Sequence, residues 1–234
     1  LVESPDLIVG NFDNKYLSLP AEVLCIVMKN HQRYIPLFKI NKKFSKLGLQ
    51  SKDILSTKFF CISNGLKESN DLIKKGNENV LKARFSDAKF FIEADLSQTC
   101  SERNKKISSI SYLKGLGSIT EKVNRIIFIA TEISNELNDE SINLDEIIEA
   151  AKYSKNDLCS EIVNEFPELQ GIMGGKYLKN EGYSENISLA VAEHYYPRFY
   201  RDNLPSSIYG AILAISDKLE TILSIFVVGK RPTG

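Results

Sequence analysis

Residues 118–137 read SITEKVNRIIFIATEISNEL, and this stretch decides the fold more than any other part of the chain. Its apolar residues recur at steps of four and three, at positions 119, 123, 126, 130, 133 and 137. That spacing places them on one face of an α-helix. Ser118 and Glu121 have the spacing of a capping box, which satisfies main-chain N–H groups at a helix start. The stretch therefore predicts an amphipathic helix that packs on other helices.

Helical periodicity continues on both sides of this stretch. Four-and-three spacing recurs at residues 81–96 and again at 208–226, and capping and proline signals predict further helices over 143–166, 167–180 and 184–194. Residues 97–106 are polar and are expected to form a linker. Residues 66–228 are therefore predicted to form a bundle of about six helices.

The first 65 residues have a different pattern. Their apolar runs are short, at residues 7–9, 23–28, 34–38 and 59–62, and such runs are typical of strands. A turn signal at Asn64 and Gly65 ends this part. The predicted fold is mainly α, with a short N-terminal α+β segment followed by a helical bundle. The expected divisions are residues 1–65, a helix and linker at 66–115, and an all-helical domain at 116–234.

Composition limits the possible functions. The chain has 234 residues, and 30 Lys and Arg balance 30 Asp and Glu, so nucleic acid binding must depend on a local cationic patch. The apolar run at 222–228 is too short to cross a membrane, and the first ten residues lack the pattern of a signal peptide. We expect a chain cut from a longer cytoplasmic protein. No two of the four cysteines form a CxxC pair.

Two clusters of cations are candidate RNA contacts. Lys82, Arg84 and Lys89 lie off the apolar stripe of their helix, and Arg198 and Arg201 are interleaved with aromatic residues. Arginine and lysine pair with phosphates, and aromatic rings stack on bases. The alternatives are a solvated helix face for the first cluster and packing of the aromatic side chains on the bundle for the second.

Asp157, His194 and Asp217 lie on three separate predicted helices. This arrangement resembles the HD superfamily of helical metal phosphohydrolases, which use a His on one helix, a His-Asp pair on the next and a distant Asp. Here the pair reads Asn156-Asp157, and the helix at 118–137 contains no His. Two carboxylates without imidazoles make a poor transition-metal site. We expect an HD-like domain with a degenerate motif and no metal, in which the carboxylates are structural and either cap a helix or pair with cations such as Lys155 or Lys218.

Six strings occur in the order typical of one family. They are LPAEVLCIVMKNHQRYIPLF at 19–38, FFCISNG at 59–65, GNENVLKARFSDAKFFIEADL at 76–96, NDLCSEIVNEFPELQGIMGGKY at 156–177, AEHYYPRF at 192–199 and ISDKLETILSIFVVGKRPTG at 215–234. Together they span nearly the whole chain. The sequence is similar to the β subunit of bacterial glycyl-tRNA synthetase.

The resemblance implies an internal fragment of a two-component ligase that joins glycine to tRNA(Gly). In that family ATP and Mg are used through the α subunit of an α2β2 enzyme, whereas β carries tRNA-binding parts. Residues 1–65 would be the end of an editing-type B3/B4 module. We expect a fragment that is inactive alone, binds no cofactor, and contributes tRNA binding and assembly with α. An HD-type phosphohydrolase and a protein-interaction scaffold are the alternatives.

Overall fold

The computed structural model describes residues 5–39, 46–48, 50–64 and 67–231. The chain forms two compact units, Leu1–Ala94 and Asp95–Gly234. A mainly helical fold with a small N-terminal sheet agrees with the sequence prediction. The predicted turn at Gly65 lies outside the described residues. Among the described residues, no helix is both long enough and apolar enough to span a membrane.

The first unit contains an antiparallel sheet. Its strands are β1 (Asp6–Asn11), β2 (Ile35–Phe38) and β3 (Leu55–Ser63), in the order β1-β3-β2. Three of the four predicted strands are confirmed. The fourth is wrong, because residues 23–28 lie in helix α1 (Ala21–Ile26) and in the wider helical turn Val27–His31 that follows it. A short apolar run fits a buried helix as well as a strand, and the helix begins directly after Pro20.

The long helix α2 (Asn70–Leu96) begins in the first unit. Its predicted apolar face is buried at Leu81, Phe85, Ala88 and Ile92. The ring of Phe85 contacts the rings of two aromatic residues of the first unit, with centroids 5.0 Å from Phe12 and 5.5 Å from Tyr16. Because these contacts are local to Leu1–Ala94, most of α2 belongs to the core of that unit.

Seven further helices form the second unit in the described part of the chain. They are α3 (Cys100–Lys106), α4 (Ile119–Leu137), α5 (Leu144–Tyr153), α6 (Glu161–Glu165), α7 (Ile172–Asn180), α8 (Glu185–Glu193) and α9 (Ile208–Val227). The capping box at Ser118 and Glu121 is present, as the sequence predicted. Gly182 follows α7 in the left-handed conformation, with φ of 90°, and Ser184 caps α8.

Two predictions for the second unit are wrong. The expected linker at 97–106 contains helix α3, which Thr99 and Glu102 begin with a capping box. The single helix expected over 143–166 is instead α5 and α6, separated by a 3₁₀ turn at Asn156–Cys159. Apolar spacing alone did not reveal this interruption. Asn156 and Asp157 therefore lie in a tight turn and not in the middle of a helix.

Candidate functional site

Beyond Ala214, the buried face of α9 is polar, which the apolar spacing of its sequence did not predict. Ile212 is buried as expected, but Ile215, Leu219, Ile222 and Phe226 are exposed. The buried positions on the following turns are polar, and they are Ser216, Asp217, Glu220 and Ser224. Buried charges require partners, so these side chains identify the place where charged groups of the second unit meet.

Asp217 lies between two lysines. Its Oδ2 accepts a hydrogen bond from Lys155 Nζ at 2.9 Å, and its Oδ1 lies 3.2 Å from Lys122 Nζ. Burial alone would raise the pKa of Asp217, but the two ammonium groups hold it well below its usual range. The sequence-based prediction that Asp217 pairs with a cation such as Lys155 is confirmed.

His194 is fully buried beside the same lysine. Its Nε2 lies 2.8 Å from Lys155 Nζ, and its Nδ1 lies 2.7 Å from the carbonyl oxygen of Val191. The neutral tautomer with a proton on Nδ1 donates to Val191 and accepts from Lys155. Burial, together with the neighbouring ammonium group, lowers the pKa of His194 to about 3. The imidazole is therefore neutral at physiological pH.

A second carboxylate, Glu220, extends the network toward α4. It forms ion pairs with Lys122 and with Arg125, whose Nε lies 2.9 Å from Glu220 Oε1. Ser224 Oγ donates to the same carboxylate at 2.6 Å. Burial would raise the pKa of Glu220, and these partners lower it. The network thus ties α4 to α9 through charges on their facing surfaces.

Asp157 has different partners from Asp217. Its Oδ2 accepts hydrogen bonds from the main-chain N–H groups of Gly171, at 2.6 Å, and Gly174, at 3.0 Å, at the start of α7. Burial raises the pKa of Asp157 to about 6. Its role here is to anchor the turn at Asn156–Cys159 to α7. This contact was not visible in the sequence, because it joins a side chain to the main chain.

These residues do not suit the divalent metal that the resemblance to the HD superfamily would imply. The ammonium group of Lys155 donates a hydrogen bond to the carboxylate of Asp217, and the carboxylate of Asp157 accepts hydrogen bonds from main-chain N–H groups. Within the described ranges, no group of three His, Cys, Asp or Glu residues is placed to hold a metal ion. In this geometry the carboxylate of Asp157 is held by main-chain N–H groups and that of Asp217 by ammonium groups.

A cavity of about 460 Å³ adjoins the network, and we call it the α9 cavity. It is lined by polar and charged residues, Gln170, Arg198, Asp217, Lys218 and Thr221, and by the rings and apolar side chains of Pro167, Tyr195, Pro197 and Ile222. Arg198, predicted as an RNA contact, thus borders this cavity. Sequence reasoning did not select Lys122, Arg125 or Glu220, although charges at 122 and 125 on α4 and at 217 and 220 on α9 have helical spacing.

The other predicted RNA contacts lie on the surface of their own units. Lys82 is exposed and Lys89 is partly exposed on α2, where Lys89 forms an i,i+4 ion pair with Glu93 at 3.6 Å. Arg84 is partly buried. Arg201 is exposed, and its guanidinium lies 5.2 Å from the centre of the Tyr200 ring. Lys82 and Arg201 therefore present accessible charge, whereas an acidic partner partly neutralises Lys89.

Fold and site together define a helical domain with a buried network of ion pairs and a cation-lined cavity. The chain belongs to the glycyl-tRNA synthetase β subunit family, whose model matches residues 1–234.

Several curated relatives are named glycine–tRNA ligase β subunit. Those from Trichodesmium erythraeum, Halothermothrix orenii and Thermodesulfovibrio yellowstonii are 41%, 40% and 42% identical, respectively, over 100% of this chain and 32% of their own length. The chain therefore spans about a third of the length of these relatives.

Proposed function

We propose that this chain is part of the β subunit of a glycine–tRNA ligase, which forms glycyl-tRNA from glycine, tRNA(Gly) and ATP in the cytoplasm. Its contribution is tRNA binding and assembly with the α subunit of an α2β2 enzyme, and the α subunit uses ATP and Mg. The observation that carries the proposal is the match of the family model to residues 1–234. The curated relatives, at 40% to 42% identity, support the same assignment.

We also propose that the second unit is an HD-like domain without hydrolase chemistry. Asn156, Asp157 and Asp217 stand at the motif positions, and Lys155 supplies the charge that would balance Asp217 in place of a metal. A phosphohydrolase would need a metal-activated water beside these carboxylates. The contacts of Asp217 with ammonium groups favour the noncatalytic role.

The role in assembly is supported by an apolar surface on α9. Six large side chains on one face of this helix are between 41% and 71% exposed, and we call them the α9 stripe: Ile215, Leu219, Ile222, Leu223, Phe226 and Val227. A soluble helix normally buries such a face, and contiguous exposed apolar patches mark contact surfaces. A β subunit that joins other protein parts through this face would remove it from water.

The role in tRNA binding is tested by titrating tRNA(Gly) with the β subunit, with and without α. Double variants Arg198→Gln/Arg201→Gln and Lys82→Gln/Lys89→Gln should bind more weakly at low salt. Each lost phosphate contact should reduce the log–log salt slope by about 0.7 to 0.9. Lys114→Gln is a matched control, because Lys114 is exposed but belongs to neither cluster. Unchanged affinity and slope in both double variants would instead support the scaffold alternative.

The assignment of adenylation to α leads to a further test. This fragment, purified alone, should neither exchange pyrophosphate into ATP in the presence of glycine nor charge tRNA. Adding the α subunit and the remainder of β should restore both reactions. Glycine-dependent exchange by the fragment alone would contradict the proposed division of labour.

A further inference from the structure

The α9 cavity has two cations on its wall that form no ion pair with a carboxylate in the described part of the chain. Lys218 Nζ donates to the main-chain oxygens of Tyr195, at 3.3 Å, and Tyr196, at 2.8 Å. The guanidinium of Arg198 donates to the main-chain oxygens of Glu168, at 2.6 Å, and Gln170, at 2.5 Å. These bonds orient both side chains but leave their positive charge without a counterion. Such a wall favours an anion.

The buried network behind the wall does not supply the missing negative charge. Asp217 is shared between Lys155 and Lys122, and Glu220 is shared between Lys122 and Arg125. Asp157 is a third carboxylate close enough to act on Lys155, so three cations and three carboxylates balance and leave no negative charge over for Lys218 and Arg198. Burial, together with the charges of Lys155 and Arg198, lowers the pKa of Lys218 despite the opposing effect of Asp217. A bound anion would lower the electrostatic energy of this arrangement.

Asp217 also borders the cavity, but its carboxylate already has partners. The residue is only 6% exposed, its Oδ2 accepts from Lys155, and its buried Oδ1 lies 3.2 Å from Lys122 Nζ. The part of the wall that a ligand can reach therefore combines two cations for an anion with apolar surface on Pro197 and Ile222.

We propose that the α9 cavity binds one ribonucleotide unit of the tRNA. Its phosphate lies on Arg198 and Lys218, and the apolar wall covers the base or sugar. A volume of about 460 Å³ lies in the range of sites that bury a small molecule. This inference rests on the proposed function and adds to it the class of ligand and the place where it binds.

Three substitutions test the cavity in the complete enzyme. Arg198→Gln and Lys218→Gln each remove a cation, and Gln170→Trp fills the cavity while leaving both charges in place. Because Gln170 is partly exposed and lies outside the α9 stripe, the larger side chain leaves the surface proposed for assembly unchanged. Each variant should weaken tRNA(Gly) binding by about tenfold, and the two charge variants should also reduce the salt slope. Lys114→Gln should bind as the parent does.

Melting temperatures and a conservative variant separate binding from folding. Arg198→Lys keeps the charge and should retain more affinity than Arg198→Gln at an equal melting temperature. Unchanged affinity in both Lys218→Gln and Gln170→Trp, with tRNA still bound and charged, would overturn the cavity proposal and leave the proposed function intact. Absence of tRNA binding by the parent enzyme would instead contradict the proposed function.

A free mononucleotide carries the same phosphate, sugar and base as one unit of the tRNA. Titration with adenosine 5′-monophosphate should show no saturable binding, or binding that tRNA displaces, because the site is shared. Saturable binding of the mononucleotide that tRNA does not displace would overturn the assignment to tRNA.

Discussion

His194 and Asp157 are both fully buried in the second unit, and their pKa values are shifted in opposite directions. The pKa of His194 falls to about 3, whereas that of Asp157 rises to about 6. Between pH 6.5 and 3 the unfolded chain binds a proton at His194 that the folded chain does not. Between pH 6 and 3.8 the folded chain binds a proton at Asp157 that the unfolded chain does not. As the pH falls, His194 therefore lowers the free energy of unfolding and Asp157 raises it.

These two effects should nearly cancel between about pH 6 and pH 4, and single substitutions should separate them. Relative to the parent, His194→Gln should gain about 1.4 kcal/mol in free energy of unfolding per pH unit as the pH falls through this range. Asp157→Asn should lose a similar amount per unit. Urea denaturation of the parent and both variants at half-unit steps measures this. Parallel curves for all three proteins would show that neither group changes its proton affinity on folding.

At the scale of elements, the packing of α7 on α8 depends on Gly175. A Cβ built on this residue would lie 2.3 Å from the carbonyl oxygen of Ser188 and 2.7 Å from the Cβ of Ala192, neither of which can move without the helix. The position leaves no room for a side chain.

Two glycine-to-alanine changes inside helices should therefore have opposite effects. Gly175→Ala should destabilise the second unit by about 1 to 3 kcal/mol through overpacking. Gly76→Ala in α2 should stabilise the first unit by about 0.5 to 1 kcal/mol, because nothing lies within 4 Å of the added Cβ and alanine favours the helix. Thermal melts of both variants are the measurement. A stabilising Gly175→Ala would contradict the close contact between α7 and α8.

The elements that sequence predicted well are those whose stability comes from apolar packing. Helix α4 follows its four-and-three pattern, and Ile119, Val123, Ile126 and Ala130 are buried as predicted. Helix α9 has the same pattern, yet its burial is reversed over most of its length. Hydropathy could not reveal this, because Asp217 and Glu220 are buried by ion pairs with residues 62 to 98 positions away in sequence.

The candidate site shows the same limit. A pairing of Asp217 with a cation, or a capping role for Asp157, was predictable from residue type. The main-chain N–H groups that Asp157 binds were not predictable, since such contacts depend on where the chain turns. Helix α3 was missed although Thr99 and Glu102 gave a capping signal, because its buried face includes the charged residue Arg103.

At the scale of the whole molecule, the α9 stripe leaves a contiguous apolar surface in contact with water on the isolated fragment. We expect concentration-dependent self-association of the fragment and binding of a hydrophobic dye. The double variant Leu219→Glu/Leu223→Glu should reduce both, with a melting temperature close to that of the parent, because both side chains are largely exposed. Light scattering and dye fluorescence provide the measurement. Unchanged dye binding in the double variant would locate the apolar surface elsewhere.

The buried lysines of the second unit make it suitable for chemical footprinting. An amine-reactive reagent attacks only an unprotonated lysine that it can reach, and Lys122, Lys155 and Lys176 are each at most 5% exposed. Surface lysines should react first, whereas these three should react only after the helices separate. Mass spectrometry of their slow modification would therefore time the opening of the second unit under native conditions, without denaturant and without an engineered label.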